Sequence, residues 1–110
     1  MNYKSDIEKM EVALQEAKRA LEIDEVPIGA AIFDEEDKLI AKSHNRREID
    51  QDPTAHAEIV AIRKAAKIIN NHRLIEATLF VTLEPCAMCM GALLQARIKR
   101  LVFGAHDPKD

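Results

Sequence analysis

Thr78-Leu79-Phe80-Val81-Thr82-Leu83-Glu84-Pro85-Cys86-Ala87-Met88-Cys89 is the stretch that decides how this chain folds. Thr78 to Thr82 has the β-branched and aromatic content of a strand. Glu84-Pro85 then reads as the start of a capped helix that runs to about Ala96. Arg100-Leu101-Val102-Phe103 follows as another strand, parallel to the first if the crossover has the usual right hand.

Working outward, the same signals recur upstream. Asp52-Pro53 reads as a helix start, with Ile59, Ile62, Ala66 and Ile69 turned inward and the end near Asn70-Asn71. Before it, Pro27 leads into a strand from Ile28 to Phe33, Asp34 to Asp37 make a polar turn, and Lys38 to Ser43 run back as a hairpin. Gly29 inside that strand marks a close approach, of packing or of a ligand. At the start of the chain, Ser5-Asp6-Ile7-Glu8 is a capping box, and Ile7, Met10, Leu14, Ala17 and Leu21 recur at helical spacing. Helix, hairpin, helix, strand, helix, strand describes an α/β chain: a three-layer α/β/α sandwich with a mixed sheet.

A length of 110 residues fits one domain spanning 1–110. The core must be aliphatic, because the chain has no Trp, one Tyr and three Phe. Its N-terminus has no signal-like apolar run and no stretch approaches a membrane span, so the expected location is the cytoplasm with no membrane partner. There, two nearby cysteines point to metal or redox chemistry rather than a structural disulfide. The net charge of −3 is unevenly divided. Residues 1–58 hold 8 Lys and Arg against 15 Asp and Glu, a balance of −7; residues 59–110 hold 8 against 4, a balance of +4. A basic half of this kind can face phosphates. It is equally what an ordinary charge fluctuation looks like.

His56, in Thr54-Ala55-His56-Ala57-Glu58, joins Cys86 and Cys89 to make three zinc-type donors. Three protein ligands with a fourth position open is the composition of a catalytic zinc site, whereas structural sites close with four. Cys86 and Cys89, three apart on a helix, share a face, and both halves of the set lie near helix starts that favour thiolate. Glu58 has the chemistry of a proton shuttle beside a zinc-activated water. Its spacing of two from His56 puts the residues on nearly opposite faces of a regular helix, so both serve one site only if the metal lies off the helix end. His44, His72 and His106 are the alternatives for a fourth, structural ligand, but none has ligand-like spacing to the cysteines. Cys86 to Ile98 has almost no polar face, which fits either a central core helix or a homodimer interface.

With these residues in view, the chain resembles the bacterial tRNA-specific adenosine deaminases of the cytidine deaminase-like superfamily. The resemblance runs through Glu25-Val26-Pro27-Ile28-Gly29-Ala30, His44-Asn45-Arg46, Asp52 to Glu58, Val81 to Cys89 and Val102-Phe103-Gly104-Ala105. It implies one Zn2+ per chain on His56, Cys86 and Cys89, with Glu58 as the catalytic proton carrier. It implies that Asn45 and the Ala57 backbone grip the base, that Pro27, Ile28 and Leu83 line the pocket, and that Asp107 contacts RNA near the target nucleotide. The implied reaction is adenosine to inosine at the wobble position of a tRNA anticodon loop, in a homodimer. The family continues beyond Asp110 with a fifth strand and a helical segment, so the expectation is a deaminase domain shortened at its C-terminus, its fourth strand an apolar edge. Phosphate contacts would come from Arg46, Arg47, Lys64, Lys67, Arg73, Lys99 and Arg100. The competing readings are a deaminase of a free base or nucleotide, of guanine or cytosine type, and an inactive zinc-stabilised fragment.

Overall fold

The computed structural model describes residues 3–106. Three helices, α1 (Asp6–Glu22), α2 (Ala57–Ile69) and α3 (Ala87–Gln95), accompany four strands, β1 (Gly29–Phe33), β2 (Leu39–His44), β3 (Thr78–Leu83) and β4 (Arg100–Ala105). The strands form one mixed sheet in the order β2-β1-β3-β4. β1 is antiparallel to both β2 and β3, and β3 and β4 run parallel. The α/β/α sandwich is therefore as expected, and its crossover helix is α3.

Alternation along the strands sorts the core between two faces. Ala30, Ile32, Leu79 and Val81 turn toward α2 and α3, where they meet Ala57, Ala61, Ala65, Leu93 and Ala96. Ala31, Phe33 and Phe80 turn toward α1, against Ala13. Phe33 and Phe80 meet edge to face with centroids 5.6 Å apart, a geometry aromatic rings favour.

α1 begins with the expected capping box, Ser5 and Glu8 each accepting the other's backbone N–H. Its buried face is not the expected one. Lys9, Ala13, Glu16, Ala17 and Ala20 face the sheet, while Ile7, Leu14 and Leu21 are 82%, 41% and 63% exposed. The cause is Gly29: a β-carbon there would stand 1.9 Å from the Ala13 carbonyl oxygen, so the helix lies directly on β1 and only its small residues fit between. The two buried charges on this face are paired. The Lys9 amine donates to Asp37 at 2.6 Å, and the Glu16 carboxylate accepts from His44 Nδ1 at 3.0 Å. Gly29 thus serves packing rather than a ligand.

Two helix starts also differ. Asp52 caps no helix; its carboxylate accepts the Thr54 N–H and hydroxyl at 2.9 and 2.7 Å and so fixes a turn. α2 instead begins after His56, and α3 after Cys86 rather than at Glu84-Pro85. α2 ends as expected, at a left-handed Asn70. The core-helix reading of α3 fails in this chain: only Cys89 and Leu93 of that helix are buried, and Met88, Met90 and Leu94 are 40%, 41% and 71% exposed.

Candidate metal centre

The C-terminal ends of β3 and β4 point to the same edge of the sheet as the start of β1 and the end of β2. In open α/β sheets this edge, outside the carboxyl ends of the parallel strands, is where ligands collect. The N-termini of α2 and α3 open there too, and each contributes its N-cap residue: His56 for α2, Cys86 for α3. An N-cap side chain normally folds back onto the first free N–H groups of its helix. Neither His56 nor Cys86 makes such a bond, so both side chains are available at the helix ends.

The two converge. His56 Nδ1 lies 3.7 Å from Cys86 Sγ and 3.6 Å from Cys89 Sγ, and the three donor atoms lie within 4.8 Å of one another. A tetrahedral zinc with bonds of about 2.05 Å to nitrogen and 2.3 Å to sulfur holds those atoms about 3.6 Å apart. The trio has the chemistry and the spacing of three zinc ligands. The alternative fourth ligands are engaged elsewhere: His44 with Glu16, and His106 with Glu84 at 3.5 Å. His72 lines a groove between α2 and α3.

Electrostatics fit the same reading. Burial, reinforced by the positive charge of Arg47, lowers the His56 pKa and keeps the imidazole neutral, the form that donates to a metal. Burial pushes the Cys89 thiol strongly upward, with Glu58 and Cys86 adding to it, so a thiolate there needs a cation beside it. Glu58 is 4% exposed, and burial raises its carboxyl above the ordinary range against hydrogen bonds from its own backbone N–H and from Cys89. The nearness of Glu58 to Cys89 answers the spacing problem. His56 precedes the helix while Glu58 sits in its first turn, so both reach one point off the helix end.

Of the residues expected to hold a substrate, Ile28, Asn45, Leu83 and Ala57 stand at the ends of elements that meet at this edge. Asn45 is buried, and its backbone N–H donates to the Ile28 carbonyl at 3.1 Å. The Arg46 N–H donates to the Ala55 carbonyl at 2.9 Å, which ties the end of β2 to the loop carrying His56. Ala57 is fully buried as the first residue of α2. Leu83 is half-buried at the end of β3, Ile28 is half-buried, and Pro27 is exposed. Asp107 lies outside the described residues. Thr82 and Glu25 escaped the sequence reading. The Thr82 hydroxyl accepts the Gly29 N–H at 3.2 Å and closes β1 against β3 at the site's end. Glu25 is a buried carboxylate; its signal was a charge set directly before an apolar strand.

The basic candidates divide. Arg46, Lys99 and Arg100 are paired with Asp50, Glu76 and Asp6. Lys64 donates to the Lys42 carbonyl at 3.3 Å. Arg47, Lys67 and Arg73 are exposed, and among the described residues they form no ion pair. No helix of the described residues is long and apolar enough to cross a membrane.

The MafB19-like deaminase family model matches residues 4–110. A tRNA-specific adenosine deaminase of Haemophilus influenzae is 51% identical over 104 residues, covering 94% of this chain and 60% of that protein. One from Bacillus subtilis is 50% identical over 100 residues, covering 91% and 62%. This chain therefore spans rather less than two thirds of the length of these relatives. A structure from studies of A-to-I editing by tRNA:A34 deaminases at the wobble position of transfer RNA superposes with a TM-score of 0.91 at 51% identity, over 94% of this chain and 78% of that one. A Bacillus subtilis guanine deaminase superposes with a TM-score of 0.90 at 34% identity, over 94% and 66%.

Proposed function

Because this chain belongs to the MafB19-like deaminase family, we propose that it hydrolyses adenosine to inosine at the wobble position of a tRNA anticodon loop. The observation that carries the reading is the meeting of His56, Cys86 and Cys89 at zinc-ligand spacing, with the buried Glu58 carboxyl close enough to act on Cys89. Identity of about half to tRNA-specific adenosine deaminases supports the choice of substrate.

His56 Nδ1 and the two thiolates would hold one zinc ion per chain. When bound, zinc supplies Lewis acidity that makes a water nucleophilic near neutral pH. Glu58 takes one proton from the attacking water and delivers it to the ring nitrogen beside the reacting carbon; it then takes the second, from the hydroxyl newly bonded to that carbon, and passes it to the departing amine. Burial serves this role, since a carboxyl with a raised pKa both accepts and returns a proton. Asn45 and the Ala57 N–H hold the base, and Pro27, Ile28 and Leu83 wall the pocket. The products are inosine and ammonia.

We place the reaction in the cytoplasm, where thiols stay reduced, and assign the apolar surface of α3 to a homodimer. That surface carries the exposed Met88, Met90 and Leu94, and another side of α3 borders a groove of about 460 Å³ lined by Ile59, Ile62, Ala66, Ala92 and Ala96. The likeness to a guanine deaminase makes a free purine the competing substrate. The zinc-loaded protein, offered an anticodon stem-loop RNA beside free guanine and cytosine, is expected to leave inosine in the RNA. Turnover of a free base alone refutes the tRNA reading. Ammonia release that persists in Glu58→Gln refutes the assignment of Glu58.

A further inference from the structure

Glu25 is 4% exposed, yet it belongs to neither the metal ligands nor the pocket wall. Its backbone N–H donates to the Ala20 carbonyl at 2.9 Å, which fixes it to the end of α1. Its Oε2 accepts the backbone N–H of Ile49 at 2.7 Å. Ile49 stands in the turn of a loop, residues 45–52, that joins β2 to the segment carrying His56. The loop is already tied at its start, where Asn45 bonds to Ile28 and Arg46 bonds to Ala55. Glu25 adds a tie at its middle, and its charge acts on Arg46 as well.

Burying a carboxylate costs desolvation free energy, and an exposed loop N–H has water as an adequate partner. Ile49 is 52% exposed, while the carboxylate that takes its N–H is buried. What the carboxylate adds is location. It belongs to Glu25-Val26-Pro27-Ile28, the segment assigned to the pocket wall, and it grips the loop that carries Arg47 and begins at Asn45, itself bonded to Ile28. An acceptor oxygen carried by the chain stays in place, where a water in its stead would not tie the two segments together.

We propose that Glu25 is a positioning residue: by holding the Ile49 amide it sets the 45–52 loop against the Pro27–Ile28 segment and so fixes where Asn45 and Arg47 meet the substrate. The inference rests on the assignment of Asn45 and Ile28 to substrate binding. Glu25 itself touches no substrate, so its loss should weaken binding more than chemistry.

Three variants of the zinc-loaded protein test it with an anticodon stem-loop RNA as substrate. Glu25→Leu removes the acceptor at similar volume, and KM should rise about tenfold with kcat little changed. Glu25→Gln keeps an oxygen in place and should retain a near-native KM. Glu25→Asp keeps the charge but withdraws the oxygen by one methylene, and should behave as the Leu variant does; it decides the matter if Glu25→Leu does not fold. Amide hydrogen exchange, read without RNA, supplies a measure independent of turnover. Protection at Ile49 and Asn45 should fall together in the Leu and Asp variants and persist in the Gln variant. Loss at Ile49 with Asn45 untouched overturns the proposal, as does a kcat defect at constant KM or a Gln variant as impaired as the Leu variant. An intact exchange pattern in a protein that edits no RNA would leave Glu25 as the loop's clamp and refute the tRNA reading instead.

Discussion

Replacing Gly29 with alanine probes the contact that places α1 on the sheet. The added β-carbon would lie 1.9 Å from the Ala13 carbonyl oxygen, 2.5 Å from the Ala17 nitrogen and 2.9 Å from the Glu16 β-carbon. Two of these are helix backbone, so no side-chain rotation relieves them. α1 must retreat by about 1 Å or more to reach ordinary contact, and a gap of that size forfeits about a quarter to a half of each dispersion contact beneath it. Ala13, Ala17 and Ala20, now at most 8% exposed, would lose that packing. Overpacking of this kind costs about 1–3 kcal/mol or more, and the lower entropy of an unfolded alanine offsets at most about 1 kcal/mol. The expected net loss is about 2 kcal/mol, or a fall in Tm of roughly 10 °C for a domain of this size. Gly104→Ala supplies the scale, since its β-carbon meets one backbone atom, the Thr82 carbonyl oxygen, at 2.9 Å and nothing else closer than 3.6 Å. Its loss should be well under half as large. Thermal and urea unfolding of both variants decide the point. A Gly29→Ala protein as stable as the parent, or less affected than Gly104→Ala, refutes the account of how α1 packs.

Further outcomes follow from other contacts. Leu94→Glu puts a charge on the exposed apolar face of α3, so a dimer seen by sedimentation should become a monomer with its zinc retained; an unchanged dimer moves the interface elsewhere. The Arg100 guanidinium, bonded to Asp6, holds that carboxyl below its ordinary range. A lowered native pKa stabilises above the unfolded value and is lost as pH falls through the native one, so the stability gap between parent and Asp6→Asn should be small at neutral pH and close in acid, below about pH 4. A gap that widens in acid contradicts the pairing. Editing of a stem-loop RNA should weaken steeply with added salt as phosphate counterions are released, with Arg47, Lys67 and Arg73 the residues whose neutralisation flattens the slope. A rate indifferent to salt argues against a polyanionic substrate.

What could be read from residues alone tracks how local each feature is. The strands declare themselves through β-branched and aromatic runs, and the three metal-type donors sit in two short strings, so sheet, layers and donor trio were legible. α1 was misjudged because apolar spacing names a stripe, while its seat on the sheet depends on Gly29, 23 positions beyond Asp6, and on partners for Lys9 and Glu16 that lie far along the chain. Asp52-Pro53 carries the composition of a helix cap and a turn alike; hydrogen bonds to Thr54 select the turn. α3 is apolar on every side, but whether that surface is core or interface depends on what stands against it. Glu25 stayed hidden because its partner, Ile49, offers only a backbone N–H, which no side-chain pattern reveals.

The central claim is that two helix N-caps and Cys89 hold a zinc ion with one position left open. X-ray absorption at the zinc edge, on protein purified with its metal, tests it most directly. One zinc per chain is expected, with two sulfurs at about 2.3 Å, one imidazole nitrogen at about 2.0 Å and one further light atom from solvent, and with binding abolished in Cys89→Ala. A site closed by a second histidine, or metal retained at full stoichiometry without Cys89, would contradict it.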